Sequence, residues 1–327
     1  MKKSTIALGA IAAAVAIGYT TYNSMFSTEA VAVDESVLAT KLSEYANAES
    51  FITAEQLKAL MDSEEDVVVI GALNPLRPDS PIAGSHTMWR GDYSAQSDAY
   101  EFGGMRNTTE EMEALLGHVG ATPDSTIVVY AAGSHHDAAR IFWQVQNLGH
   151  EDVRYLDGGL NAWIGAGYAT GNANPPVKAT SYVAPNPSAQ EETLATLDMV
   201  LNAQQDSDWV IIDTRGDDEF NGTTTVSGAY GPGKIPTSVH INWTQTVNGD
   251  TTLKTAQELK DLYGDLIEGK NVIAYCQSGV RSAHTALVLK EVLGAENVYN
   301  YDGSWIEYSH EHYEQNNQDV KVSNGNS

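Results

Sequence analysis

The sequence predicts an α/β protein of two domains, each a largely parallel sheet flanked by helices. Three observations predict it. A chain of 327 residues has room for about two domains, and 42% hydrophobic residues supply two ordinary cores. Compact apolar runs at Val67 to Ile70, Thr126 to Tyr130 and Val153 to Leu156 alternate with helical spacing. The second half then repeats the first. Tyr130 and Tyr275 end matching strands, Gly149 matches Gly294, Val153 matches Val298, and Asp157-Gly158-Gly159 matches Asp302-Gly303-Ser304.

Taken in order, residues 1–33 begin with Met1-Lys2-Lys3 and an uncharged run from Ser4 to Gly18, the basic and apolar regions of an export signal. The run is too short for a comfortable membrane span. Ala30-Val31-Ala32 has the small-x-small pattern of a cleavage site, so a cleaved signal and a retained N-terminal membrane anchor both stay open, and a periplasmic location is expected. From Val33 to about Ser50 the chain reads as a polar spacer, helical or loose. The first domain, 50–170, opens with a helix capped by Thr53. Asp137 to Leu148 reads as a further helix, with Ile141, Val145 and Leu148 on its buried face. Residues 171–188 hold four of the ten prolines and read as a linker. The second domain spans 189–308, and 309–327, rich in Asn, Gln and Asp, reads as a surface or disordered tail.

The second domain is organised around the only cysteine in the chain. Val272 to Tyr275 is a strand, and Ala286, Leu289 and Leu293 share one face of a helix that Gly294 terminates. Cys276 therefore lies on a strand-to-helix turn. Across Gln277, Ser278, Gly279, Val280, Arg281 and Ser282, backbone N–H groups and the helix N-terminus are expected to point inward, a setting that stabilises a thiolate. Arg281 is the cation nearest in sequence. Arg215, on the turn after the Ile212 strand, is a second candidate at the same carboxyl edge.

With 18 Lys+Arg against 43 Asp+Glu the net charge is -25, which argues against nucleic acid and anionic membrane surfaces as partners. An anionic substrate then needs a local positive site. One cysteine forms no internal disulfide. His135-His136 with His118 or His150 lacks metal-ligand spacing, so a solvated loop is expected there, with no metal. Trp143, Trp163 and Trp305 read as packing anchors.

The repeated units and the segment Cys276-Gln277-Ser278-Gly279-Val280-Arg281-Ser282 resemble a tandem rhodanese, a sulfurtransferase, over roughly residues 50 to 308. Ile212-Asp213-Thr214-Arg215, Glu219-Phe220-Asn221-Gly222 and Gly233-Lys234-Ile235-Pro236 are similar to other family segments. The resemblance implies a catalytic C-terminal domain and an inactive N-terminal one. Ala131 accordingly stands where Cys276 stands in the repeat, and the loop after it lacks the Arg. Implied by the resemblance are thiosulfate as sulfur donor, cyanide or a thiol as acceptor, a persulfide on Cys276 and no cofactor. Asp213 and Asp302 are expected to be structural near the site, a monomer is expected, and Arg140 or Arg154 is a candidate bridge between the domains.

Two departures from the family pattern bear on substrate. Glu219 stands where tandem members often carry a basic residue, and the loop differs from the Cys-Gly-Ser-Gly-Val-Thr of mercaptopyruvate-specific members. Alternatives are a persulfide carrier in a sulfur relay, a 3-mercaptopyruvate sulfurtransferase, and a cysteine phosphatase. The last needs five residues between Cys and Arg; here there are four, Gln277 to Val280.

Overall fold

The computed structural model describes residues 34–323 except 64, 97 and 134, so the export-signal expectation lies outside the described residues. It contains two five-stranded parallel sheets. The first comprises β1 (Phe51–Ile52), β2 (Val67–Ala72), β3 (His86–Met88), β4 (Thr126–Ala131) and β5 (Val153–Leu156), in the order β1-β5-β4-β2-β3. The second comprises β6 (Leu194–Ala195), β7 (Trp209–Asp213), β8 (Val239–His240), β9 (Asn271–Tyr275) and β10 (Val298–Tyr301), in the matching order β6-β10-β9-β7-β8. Helices α1 (Glu35–Ser43), α2 (Ala54–Met61), α3 (Thr109–His118), α4 (His135–Gln146) and α5 (Gly159–Gly165) go with the first half. The second half carries α6 (Leu197–Ala203), α7 (Asp217–Phe220), α8 (Ala256–Ile267), α9 (Val280–Leu287) and α10 (Ser304–Tyr313).

Parallel pairing explains the unbroken apolar strands. Both faces of each sheet are covered, so every residue of β4 is buried and no polar alternation is needed. β2 pairs with β4 from Val67↔Thr126 to Ala72↔Ala131, and β7 with β9 from Trp209↔Asn271 to Asp213↔Tyr275. Each register puts the residue after the strand tyrosine, Ala131 or Cys276, at the carboxyl edge of its sheet. The edge strands β1, β3, β6 and β8 have two or three residues, too few for a periodic pattern to reveal.

The outward face of each sheet has its own core, around Val128, Tyr130 and Trp163 in one domain and Ile273, Tyr275 and Trp305 in the other. The inward faces share one core. It runs from Ile127 and Phe142 through Trp243 to Ala286 and Leu287, with α4 packed on α9 across the domain boundary. Burying apolar surface from both halves together makes the domains mutually supporting.

Three sequence expectations change here. Of the two forms expected for residues 34–50 the helical one is found, over Glu35–Ser43, but not as a spacer: Leu38, Leu42 and Tyr45 of the α1 region are buried in the shared core, and Lys41 donates to Asp157 and to the Leu253 carbonyl, both at 2.7 Å. The 171–188 segment has no regular structure but is laid on the first domain, with Thr180 N–H on Gly117 O at 2.9 Å and Asn186 N–H on Leu148 O at 2.9 Å. Within the tail, α10 continues to Tyr313, Val320 is buried, and Ser323 pairs with Lys234 through two backbone hydrogen bonds. Leu38, Leu42 and Tyr45 fall at the helical spacing i, i+4 and i+7, whereas the 171–188 segment and the tail are held by apolar anchors too few for a periodic signal. No helix among the described residues is long and apolar enough to cross a membrane.

Candidate active site

Cys276 follows β9 and is 1% exposed. The chain turns over Gln277, Ser278 and Gly279, and Gly279 takes φ +73°, a left-handed conformation that glycine adopts at little cost. A Cβ at Gly279 would lie 2.8 Å from Arg140 Nη1 and from Asp302 Oδ1, so the position also lacks room for a side chain. Val280 then begins α9.

The loop is fixed by residues that no sequence signal singles out. Ser304 Oγ accepts the N–H of Cys276 at 3.1 Å and of Gly279 at 3.0 Å while donating to Tyr301 O at 2.6 Å. Asn300 accepts from Ser282 Oγ at 2.6 Å and donates to Gly279 O at 2.9 Å. The Gly279 N–H, expected to face a substrate, is thereby spent on Ser304. Those that reach the sulfur belong to Ser278 and Ser282, and Ser282 Oγ lies 3.6 Å from Sγ. Burial acts to raise the thiol pKa, but Arg281, the Ser282 side chain and these N–H groups outweigh it and hold it below the ordinary thiol value. A thiolate at the N-terminus of α9 is a nucleophile ready for a soft electrophile.

Arg281 holds Glu219 in a bidentate pair, Nη1 to Oε2 at 2.6 Å and Nη2 to Oε1 at 2.8 Å. Burial tends to raise the Glu219 pKa, and Arg281 more than offsets it, so the carboxylate stays ionised. Arg215 does not join this group. Its guanidinium clasps Asp213, with Nη2 to Oδ2 at 2.6 Å, donates to Gly233 O at 2.8 Å, and lies between the Tyr275 and Trp305 rings. The expectation of a second sulfonate-binding cation at Arg215 is therefore replaced by a structural role. The Asp213 carboxylate that neutralises it also accepts the Tyr275 hydroxyl. Gln277 is buried under the 221–228 strip, its amide 3.4 Å from the carbonyls of Val226 and Ser227.

The first domain reaches the loop directly. Arg140 donates to Gly279 O at 3.3 Å and pairs with Asp302 at 2.5 Å, and Asp302 also accepts the Arg106 N–H at 2.9 Å. Asp302 is thus structural, as expected, but its partners come from the other half. Arg154 stays in its own domain, paired with Asp152 at 2.6 Å. The repeat has a mirrored contact, in which Asp157 accepts the Leu253 N–H of the second domain at 2.7 Å.

At the matching turn of the first domain, Ala131 replaces the cysteine, His136 replaces Arg281 and Asp137 replaces Ser282. His135 and His136 are not a solvated loop. They form the first turn of α4, at 1% and 4% exposure, and burial pulls both pKa values down, that of His135 to about 4. No cluster of three or more His, Cys, Asp or Glu with metal-binding geometry occurs among the described residues.

A family model for the rhodanese-like domain matches residues 53–166 and 196–311. The chain belongs to the rhodanese family. Both domains of this rhodanese are covered by the match, and the two equal strand orders agree with it. Among curated relatives, a Haloferax volcanii protein named "Putative thiosulfate sulfurtransferase" is 40% identical over 208 residues, 62% of this chain and 72% of the relative. A Corynebacterium glutamicum protein named thiosulfate sulfurtransferase is 33% identical over 205 residues, 61% of this chain and 68% of the relative. The anaerobic ergothioneine biosynthesis enzyme from Chlorobium limicola, solved with trimethyl histidine, superposes with a TM-score of 0.74 at 23% identity, covering 86% of this chain and 72% of that one. That likeness shows the fold. The coarse activity carried by family and relatives together is that of a rhodanese-type sulfurtransferase.

Proposed function

We propose that this rhodanese moves sulfane sulfur from thiosulfate to cyanide or a thiol through a persulfide on Cys276. The observation that carries the reading is a single buried cysteine on the strand-to-helix turn before α9, where Arg281 and the Ser278 and Ser282 N–H groups favour its thiolate. In the first step the Cys276 thiolate attacks the outer sulfur of thiosulfate. A new S–S bond forms on the enzyme, the sulfur–sulfur bond of thiosulfate breaks, and its electron pair leaves with sulfite. The enzyme now carries Cys–S–S⁻. Cyanide or a thiolate then attacks the terminal sulfur, giving thiocyanate or a new persulfide, and the electron pair returns to Cys276 as thiolate. Charge balances in both steps and no proton is required.

Residues of this chain then have definite tasks. The Ser278 and Ser282 N–H groups stabilise the negative sulfur of Cys276 before and after transfer, while the Ser282 hydroxyl, donated to Asn300, holds the loop. Arg281 is the loop cation that takes the donor's sulfonate when Glu219 yields its fork. Four residues between Cys and Arg, rather than five, favour a sulfur donor over a phosphate ester. Intact mass after incubation with thiosulfate tests the reading: a gain of one sulfur atom, removed by cyanide and absent in Cys276→Ser, is expected. Transfer by Cys276→Ser at the wild-type rate overturns it. A persulfide that forms only from a protein donor, with no steady-state turnover of thiosulfate, shows a carrier instead.

A further inference from the structure

Three arginines surround the cysteine loop, and each is matched with a carboxylate: Arg281 with Glu219, Arg215 with Asp213, and Arg140 with Asp302. In a chain of net charge -25, each of these three cations has a carboxylate against it, and Asp302 is shared with Arg106 at 3.6 Å. The three pairs differ in access. The Arg215 and Arg140 side chains are 2% and 1% exposed and their guanidinium groups also hold backbone carbonyls, Gly233 O in one case and Gly279 O in the other. Arg281 is 20% exposed and Glu219 11%. Theirs is the most exposed of the three pairs.

Glu219 is weakly tied by anything else. It sits on the four-residue α7, and apart from Arg281 its carboxylate accepts one long bond, from Gly216 N–H at 3.4 Å. Its two oxygens occupy both terminal nitrogens of Arg281, the same fork that a sulfonate or sulfate needs. An oxyanion entering from solvent must therefore displace this carboxylate or sit against its charge.

We propose that Glu219 sets the oxyanion affinity of the cysteine site: by holding the Arg281 fork it weakens binding of every dianionic oxyanion, so that inert ones such as sulfate do not occupy the loop. The assignment rests on the sulfurtransferase reading for its biological meaning, but not for its test. A donor with a transferable sulfur draws an additional advantage from its contact with Cys276, whereas sulfate has only its oxygens to offer. Glu219 thus lowers the oxyanion contribution common to both, and occupancy of the loop comes to depend on the contact with Cys276.

Sulfate is the probe. Because the chain has one cysteine, ultraviolet absorbance of its thiolate reports on that site alone, and sulfate binding is read as a shift of the Cys276 titration without any turnover. Glu219→Gln, with Glu219→Ala as a second variant that does not depend on how the amide seats, is expected to tighten sulfate binding about tenfold, the scale of one like charge within a few ångströms. Glu219→Asp keeps the charge and is expected to stay within about twofold of wild type. The KM for thiosulfate should fall in parallel in the Gln and Ala variants, with sulfate becoming a competitive inhibitor. Unchanged or weaker sulfate binding in both overturns the proposal, and so does equal tightening in Glu219→Asp. If wild type takes no sulfur from thiosulfate, the proposed donor fails while the sulfate titration still decides the role of Glu219.

Discussion

Ser304 carries a left-handed backbone, φ +48°, at a position where the repeat has Gly159 with φ +53°. A side chain there costs about 1–2 kcal/mol in backbone strain. Its hydroxyl offsets that by satisfying the buried N–H groups of Cys276 and Gly279 together. Ser304→Ala keeps the strain and leaves both donors without a partner, so chemical unfolding should show a loss of about 1–3 kcal/mol, and sulfur transfer should fall as the loop loosens. Ser304→Gly removes the strain along with the bonds and should lie between Ala and wild type in stability. Equal stability of all three would mean that Ser304 does not hold the loop. The sequence displays this residue without explaining it. Asp302-Gly303-Ser304 against Asp157-Gly158-Gly159 is visible as a repeated turn, but nothing local tells that a serine three residues beyond β10 reaches back to a strand end. The reverse failure is Arg215, whose place at the carboxyl edge is legible while its clasp on Asp213 is not.

Helices α4 and α9 meet face to face, and this contact is where sequence periodicity says least. Ile141, Val145 and Leu148 mark one buried face of α4, yet His135 to Val145 are all buried, because one side covers β4 and the other meets α9 of the second domain. A partner remote in sequence leaves no 3.6-residue signature of its own. The strands β2, β4, β5 and β9 are legible since each is a sustained apolar run, whereas the histidines at this interface look like loop residues. His135 and His136 begin α4, and His284, in α9, donates to or accepts from Thr246 at 2.9 Å and packs on Trp243 with His136. Burial depresses the pKa of all three, so they fold as neutral rings. The unfolded chain binds protons at these sites from about pH 6.5 downward, and the folded one does not until lower pH, about 4 for His135. Stability is therefore fully present above about pH 6.5 and falls as pH drops through that window, by about 1.4 kcal/mol per pH unit for each histidine. Asp137 and Asp157, whose carboxyls burial raises, act in the opposite direction at acid pH. Thermal melts at about pH 7.5 and about pH 5 should show the net loss, smaller in the double variant His135→Asn, His284→Gln. Identical pH slopes in variant and wild type would assign the acid sensitivity elsewhere.

At the scale of the molecule, two domains of the same form share a core, exchange contacts through Asp157 and Asp302, and keep one cysteine. Restoring a thiol at Ala131 should not restore a second site. The nucleophile would stand at the end of β4 in the register of Cys276, but its surroundings differ at each place that matters. Asp137 takes the position of Ser282, so a buried carboxylate, tied to Arg90 at 2.9 Å and Tyr93 at 2.9 Å, replaces a hydroxyl that reaches the sulfur. Negative charge there raises a thiol pKa and repels an anionic donor. His136, neutral in the fold, replaces the Arg281 cation. Gly159 replaces Ser304 and cannot accept the N–H at the strand end; a Cβ on it would come within 2.4 Å of the Ala131 carbonyl, so the serine cannot simply be reinstalled. In the double variant Ala131→Cys, Cys276→Ser, treatment with thiosulfate should leave less than about a tenth of the chains with sulfane sulfur at a time when wild type is fully loaded, and the introduced thiol should titrate at or above the ordinary thiol range. One sulfane sulfur per chain at the wild-type rate would show instead that the first domain is a competent site lacking only its cysteine, and that neither Asp137 nor the absent arginine decides where sulfur is held.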